Sequence, residues 1–138
     1  MSAMYGNPTF DCAGAEIRAH CRQLATVVTI KGTIDDGNVE RVSRYARRFI
    51  LSEKPFVLDV SDVASFTREA VSLLFTVDDA CTAAGVDWSL VSSRPVEQAL
   101  LEGGVEFTAA GSVPQALNHF ADAMIARRQL LPLLTKTA

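Results

Sequence analysis

Short apolar runs rich in β-branched residues alternate with segments of helical periodicity from Ala25 onward, and this alternation limits the chain to few architectures. Ala25-Thr26-Val27-Val28-Thr29-Ile30 is nearly all apolar, as a strand covered on both faces would be. Val39, Val42, Tyr45, Ala46, Phe49 and Ile50 then recur at helical spacing. Residues 55–60 read as the next buried strand and Arg68 to Ala84 as a helix, with Gly85 as its C-terminal cap. The buried stripe of that helix is Ala70, Leu73, Leu74, Val77, Cys81 and Ala84. Val86 to Val91 supplies a fourth strand, and Ser93-Arg94-Pro95 opens a short helix through Leu101 that stops before Gly103-Gly104. Alternating strands and helices predict parallel pairing with right-handed crossovers.

The ends of the chain are different. Residues 1–14 show little periodicity and read as a loosely ordered lead-in. From Ala15 to Gln23 the pattern has period two, with Glu16, Arg18, His20 and Arg22 on one side and Ile17, Ala19 and Cys21 on the other. Phe107-Thr108 reads as a short edge strand, and Ser112-Val113-Pro114-Gln115 as a capping box before a last helix carrying Leu117, Phe120, Ala121, Met124 and Ile125. Residues 15–129 therefore form one domain, and residues 130–138 an apolar tail. In that tail, Leu130-Leu131-Pro132-Leu133-Leu134 either packs on the body or forms an exposed strip for a homodimer or a partner.

Composition narrows the function. With 138 residues, 49% of them hydrophobic, a sizeable core forms in a single domain. A formal charge of −3 does not suggest direct nucleic-acid binding. The apolar runs fall short of a membrane span, and residues 1–10 lack the pattern of a secretion signal. Cys12, Cys21 and Cys81 are widely spaced and form no CxxC pair, which fits a reducing cytoplasm and no metal site. Arg41, Arg44, Arg47 and Arg48 take the outer side of the first helix, as a solvated face or as a docking patch.

Motifs for catalysis are missing. There is no GxSxG nucleophile elbow, no P-loop and no GxGxxG. His20 and Cys21 are neighbours on a strand and point to opposite faces, so Cys21 is expected in the core and His20 at the surface. Cys81 reads as a small core residue and Asp78-Asp79 as helix surface. No catalytic residue and no cofactor is assigned.

Three segments together carry a family resemblance. Val28-Thr29-Ile30-Lys31-Gly32-Thr33-Ile34-Asp35 resembles the second strand of STAS domains, with its Gly-x-(Leu/Ile)-Asp ending. Phe56 to Val63 resembles the strand that leads into the regulatory loop, and Ser93 to Val105 the short helix and Gly-(Leu/Val) beyond it. The resemblance covers roughly Ala15 to Arg127 and points to the anti-sigma factor antagonists. It implies an α/β fold: one domain with a mixed, mostly parallel sheet of four to five strands and about four flanking helices. It also implies a non-enzymatic, cytoplasmic protein that binds an anti-sigma factor, often a serine kinase, and regulates sigma-factor-dependent transcription by partner switching.

The departure falls on the phosphorylation motif. Thr67-Arg68-Glu69-Ala70 stands where the family carries an Asp-Ser-Ser-Gly type sequence, which puts Glu69 at the phosphoacceptor position. A serine kinase cannot modify Glu69, whose single charge only partly imitates a phosphoserine of about −1.5 to −2. Locally, Thr67 reads as a helix cap and Glu69 as an anion favoured in the first turn. Asp36 or Asn38 is expected to cap the preceding helix. The resemblance makes Asp35, Asp36, Ser65, Thr67, Arg68, Glu69 and Ser72 the partner-binding set, with Thr67 as an alternative phosphoacceptor. A second reading is a STAS module that senses a small ligand or acts as a scaffold.

Overall fold

The alternation becomes one six-stranded sheet whose strands lie side by side in chain order. The computed structural model describes residues 9–107 and 109–137, with side chains as far as Arg128. The elements are β1 (Thr9–Asp11), β2 (Ala15–Cys21), β3 (Thr26–Ile34), α1 (Val39–Arg48), β4 (Phe56–Phe66), α2 (Ser72–Ala84), β5 (Trp88–Val91), α3 (Arg94–Gly103), β6 (Ala109–Ala110) and α4 (Val113–Thr137). A single 3-10 turn, Glu69–Val71, leads into α2. β1–β2 and β2–β3 pair antiparallel, and β3–β4, β4–β5 and β5–β6 pair parallel. Each parallel step is bridged by a helix, as the pattern predicts.

The two sheet faces are covered unequally. α1, α2 and α3 pack on one face, burying Ile17, Val28, Ile30, Phe56, Leu58 and Leu90 against Val42, Leu73, Leu74, Val77 and Val96. On the other face α4 lies alone, and Ala116 and Phe120 close over Val27, Val57 and Val91. Arg127 donates to Asp87 at 2.9 Å and ties the helix to the loop before β5.

Several expectations are corrected. The sheet has six strands rather than four to five, because Thr9–Asp11, read as part of the lead-in, pairs with Glu16–Arg18 as an edge strand. β3 does not end at Ile30. It continues through Gly32 to Ile34, and β4 runs on to Phe66 because the parallel ladder persists to Ile34↔Phe66. The last edge strand lies at Ala109–Ala110, two residues beyond Phe107-Thr108. The backbone of residues 130–137 continues α4 rather than forming a separate tail. Residues 1–8, Thr108 and the side chains of Leu130–Leu134 lie outside the described residues.

The cysteine reading is also corrected. Cys21 is exposed and His20 half-buried, whereas Cys12 and Cys81 are fully buried. Cys21 shares the parity of Ile17 and Ala19 but is the last residue of β2, beyond helix cover. Burial pushes the Cys81 thiol up to about 12, with Asp78 adding to the effect. That thiol is therefore a packing group at neutral pH.

Candidate functional site

The parallel strands β3 and β4 end together, and the turns that follow them form one surface. β4 reaches this point through two register shifts against β3, between Thr29 and Lys31 and between Gly32 and Thr33. Asp59 Oδ1 accepts from the Ser61 N–H at 3.0 Å and from its hydroxyl at 2.6 Å, which fixes the first irregularity. Bulges of this kind bend a strand and re-aim its end.

Gly32 is required on the β3 side. Its φ is +96°, and an added Cβ would lie 2.4 Å from the Gly14 carbonyl oxygen. That carbonyl accepts from Thr33 N–H at 2.9 Å, so the β1–β2 turn is drawn against β3 at this residue. Only glycine permits both the approach and the conformation.

Asn38 then locks the β3–α1 turn. It is 2% exposed, and its amide donates to the carbonyls of Thr33 at 2.8 Å and Ala13 at 3.3 Å. Its Oδ1 accepts from Asp35 N–H at 2.9 Å. Asn38 stands at the N-terminal boundary of α1, as expected, but its side chain turns back into the loop and makes no capping bond. The Asp35 carbonyl accepts from Val39 N–H instead, at 2.9 Å. The Asp35 carboxylate accepts from Gly37 N–H at 2.9 Å, which commits one of its oxygens to the turn. Asp36 likewise does not cap α1.

Asp36 faces the second turn. The Thr67 hydroxyl donates to Asp36 Oδ1 at 2.9 Å and accepts from Ala70 N–H at 3.3 Å. Thr67 thus closes the 3-10 turn rather than capping α2, which begins at Ser72, and it also links loops 31 residues apart. Thr67 N–H donates to the Ile34 carbonyl at 3.1 Å and reinforces that link. Arg68, Glu69 and Ser72 are exposed around it, and Ser65 is exposed at the end of β4 rather than in a loop. Among the described residues the ion pairs are Arg18–Glu16 and Arg127–Asp87, so neither Arg68 nor Glu69 is engaged in one. An open groove of about 270 Å³ adjoins Ser65 and Arg68, with Pro95, Gln98, Ala99 and Glu102 of α3 as its far wall.

With that geometry in place, residues 16–107 match the STAS domain. The chain belongs to the STAS domain family. A Mycobacterium tuberculosis protein named osmosensory protein A is 47% identical over 140 residues, which takes in 96% of this chain and 89% of that protein. The crystal structure of an anti-sigma factor antagonist from Mycobacterium paratuberculosis matches with a TM-score of 0.64 at 16% identity, over 88% of this chain and 99% of that one. RsbS from Moorella thermoacetica, in a serine-to-glutamate variant, matches with a TM-score of 0.66 at 19% identity, over 80% and 97%. At such identities these two likenesses are of fold.

Within this STAS domain the sequence brings Asp36 and Thr67 into contact and places Arg68, Glu69 and Ser72 nearby on the surface. Two contributors were missed. Asn38 organises the first turn, although an Asn three residues after Asp35 in a glycine-containing loop was the available signal. The α3 wall of the groove carries no local signal, because only the tertiary fold places Gln98 and Glu102 beside Arg68. No group of three or more His, Cys, Asp or Glu side chains is placed to hold a metal ion among the described residues. No described helix is long and apolar enough to cross a membrane.

Proposed function

We propose that this STAS domain is an anti-sigma factor antagonist whose regulatory anion is built in. It docks on an anti-sigma factor of the serine-kinase type, in the cytoplasm, and controls a sigma factor by partner switching. The observation that carries the reading is the exposed Glu69 at the first turn before α2, beside two turns joined by Thr67 and Asp36. The docking surface is Asp35, Asp36, Ser65, Thr67, Arg68, Glu69 and Ser72. Its fixed charges set encounter rate and specificity and, through them, contribute to affinity. The Thr67 hydroxyl is already engaged on both its donor and acceptor sides, so Thr67 serves to close the turn and link the loops rather than as a replacement phosphoacceptor. The upstream signal is proposed to be osmotic strength, carried over from the name of the 47%-identical relative.

The test is direct. The purified chain is titrated against the anti-sigma factors of its source cell by biolayer interferometry, then incubated with each and ATP and examined by mass spectrometry. The expected result is saturable binding to at least one of them, with no phosphate on residues 65–72. Phosphate on this segment, or no binding to any anti-sigma factor, would overturn the reading.

A further inference from the structure

Two open grooves adjoin on the β5–β6 side of the molecule, and Glu106 and Phe107 belong to both. The larger, of about 620 Å³, runs between α3 and the β5–β6 edge, with Leu90, Leu100, Leu101 and Val105 as its apolar lining. The smaller, of about 430 Å³, is walled by Asp78 of α2 and by Asp87 and Trp88 at the start of β5. A row of rings spans the junction. Phe75 of α2 meets Phe107 edge-on with ring centres 5.5 Å apart, and Phe107 meets Trp88 at 5.8 Å. Phe75 is 46% exposed and Leu101 82%. Leu101 lies off the buried stripe of α3, which is Val96, Ala99 and Leu100, so helix packing does not account for it.

The charge on this surface has one sign. Among the described residues, every charged side chain lining the two grooves is acidic: Asp78, Asp87, Glu97 and Glu106. Two of the four are committed within the fold. The Trp88 indole N–H donates to Asp78 Oδ1 at 2.9 Å, and Arg127 donates to Asp87 Oδ2 at 2.9 Å. Glu97 and Glu106 are exposed and enter no ion pair among the described residues. Glu97 stands one helical turn before Leu101, and Glu106 directly precedes Phe107. Each uncommitted carboxylate therefore sits beside an apolar or aromatic side chain that the solvent reaches.

This combination selects a cation that carries apolar surface. Anions are repelled, which sets aside nucleic acid and acidic peptides. No three His, Cys, Asp or Glu side chains are placed to hold a metal ion among the described residues. A small-molecule site buries most of its ligand, whereas these two grooves are open and lie end to end. We propose that they dock a basic amphipathic segment of a partner protein. An apolar side chain of that segment enters the larger groove beside Leu101 and Val105. A lysine or arginine lies at the Trp88–Phe107 pair, where the rings attract the cation and Glu106 balances it. A second basic residue meets Glu97. None of the Glu69 docking set lines either groove, so this interface stands apart from the one proposed above.

Trp88 is the single tryptophan of the chain, so its emission reports on this site alone. A random 12-residue peptide library without tryptophan is displayed and selected against the full chain. Enriched peptides should carry two or more Lys or Arg together with a large apolar residue. Titrated as synthetic peptides, they should change Trp88 emission saturably. Glu97→Gln/Glu106→Gln should weaken them about tenfold or more, and Leu101→Ser should weaken them further. Glu40→Gln/Glu53→Gln, which removes as much charge outside both grooves, should leave affinity unchanged. Circular dichroism of each variant separates lost binding from lost fold. Enrichment of acidic or neutral peptides, no enrichment, no response of Trp88, or equal losses in the two double variants would overturn the proposal. So would free lysine amide saturating the Trp88 response as tightly as the peptides, which would assign the site to a small cation. Self-association of the parent that Leu101→Ser abolishes, read by light scattering, would also overturn it by making a second copy the occupant.

Discussion

The two turns that shape the candidate docking surface are built in opposite ways. The β3–α1 turn closes on a buried amide: Asn38 makes three side-chain hydrogen bonds to backbone groups of residues 13, 33 and 35. The β4–α2 turn has no such interior support. Among the described residues its side-chain bonds come from Thr67, one to Ala70 N–H and one across to Asp36. Arg68 and Glu69 project from it into solvent. The first turn is a frame, and the second presents charge while leaning on that frame. Buried polar groups are costly to leave unpaired, so they specify geometry strongly. Exposed charges cost little to change, so they are free to serve recognition.

Substitutions sharpen this contrast, and the largest effect belongs beneath the frame. Gly32→Ala should destabilise by about 3 kcal/mol, through an unfavourable φ and a clash with the Gly14 carbonyl. A urea midpoint equal to that of the parent would show that the β1–β2 turn can move aside. Asn38→Ala should cost about 2–3 kcal/mol by stranding its backbone partners, and amide exchange should quicken in both turns. Faster exchange in the first turn alone would break the claim that one supports the other. Thr67→Val keeps the shape and removes the hydroxyl. It should cost about 1 kcal/mol, with exchange quickening at Ala70 while the amide of Asp35 stays protected.

The smallest effect is a control in the core. The Cys81 thiol, with an ordinary value of 9.0, is raised to about 12 in the folded chain. Its stabilisation is therefore complete below about pH 9 and is lost as pH rises toward 12, because the unfolded chain ionises first. Urea midpoints at pH 8 and pH 10 should fall less for Cys81→Ala than for the parent. Equal falls would mean that other groups dominate alkaline unfolding.

The fold was legible wherever periodicity was strong. Of the expected stripe, Ala70, Leu73, Leu74, Val77 and Cys81 are buried and Ala84 is half-buried; Gly85 and Gly104 cap their helices with left-handed backbones, although α3 runs through Gly103 rather than stopping at Leu101. Boundaries were illegible where tertiary pairing overrode local pattern. The apolar run alone suggests a strand ending at Ile30, yet the pairing of Thr33 and Ile34 with Ser65 and Phe66 carries the sheet on to Ile34. Thr9–Asp11 carries too few residues for a period to be seen, and only β2 makes it a strand. The capping box at Ser112 was half correct. Ser112 Oγ accepts from Gln115 N–H at 3.2 Å, but Gln115 Oε1 accepts from Gly111 N–H rather than from Ser112. At the candidate docking surface Arg68 and Glu69 stand out in the sequence as departures from a motif, and Asp35 as a match to one. The sequence did not identify Asn38 as the support, because its long-range bond to the Ala13 carbonyl, 25 residues away, exists only in the folded chain.

The central claim is that the fixed charge of Glu69 takes part in docking and has no part in holding the fold. It is tested by calorimetric titration of the proposed anti-sigma partner with the parent and with Glu69→Gln, an isosteric change that removes only the charge. The account expects the dissociation constant to rise roughly tenfold, equivalent to about 1.4 kcal/mol, while the melting temperature moves by no more than about 2 °C. An unchanged or tighter complex would contradict it.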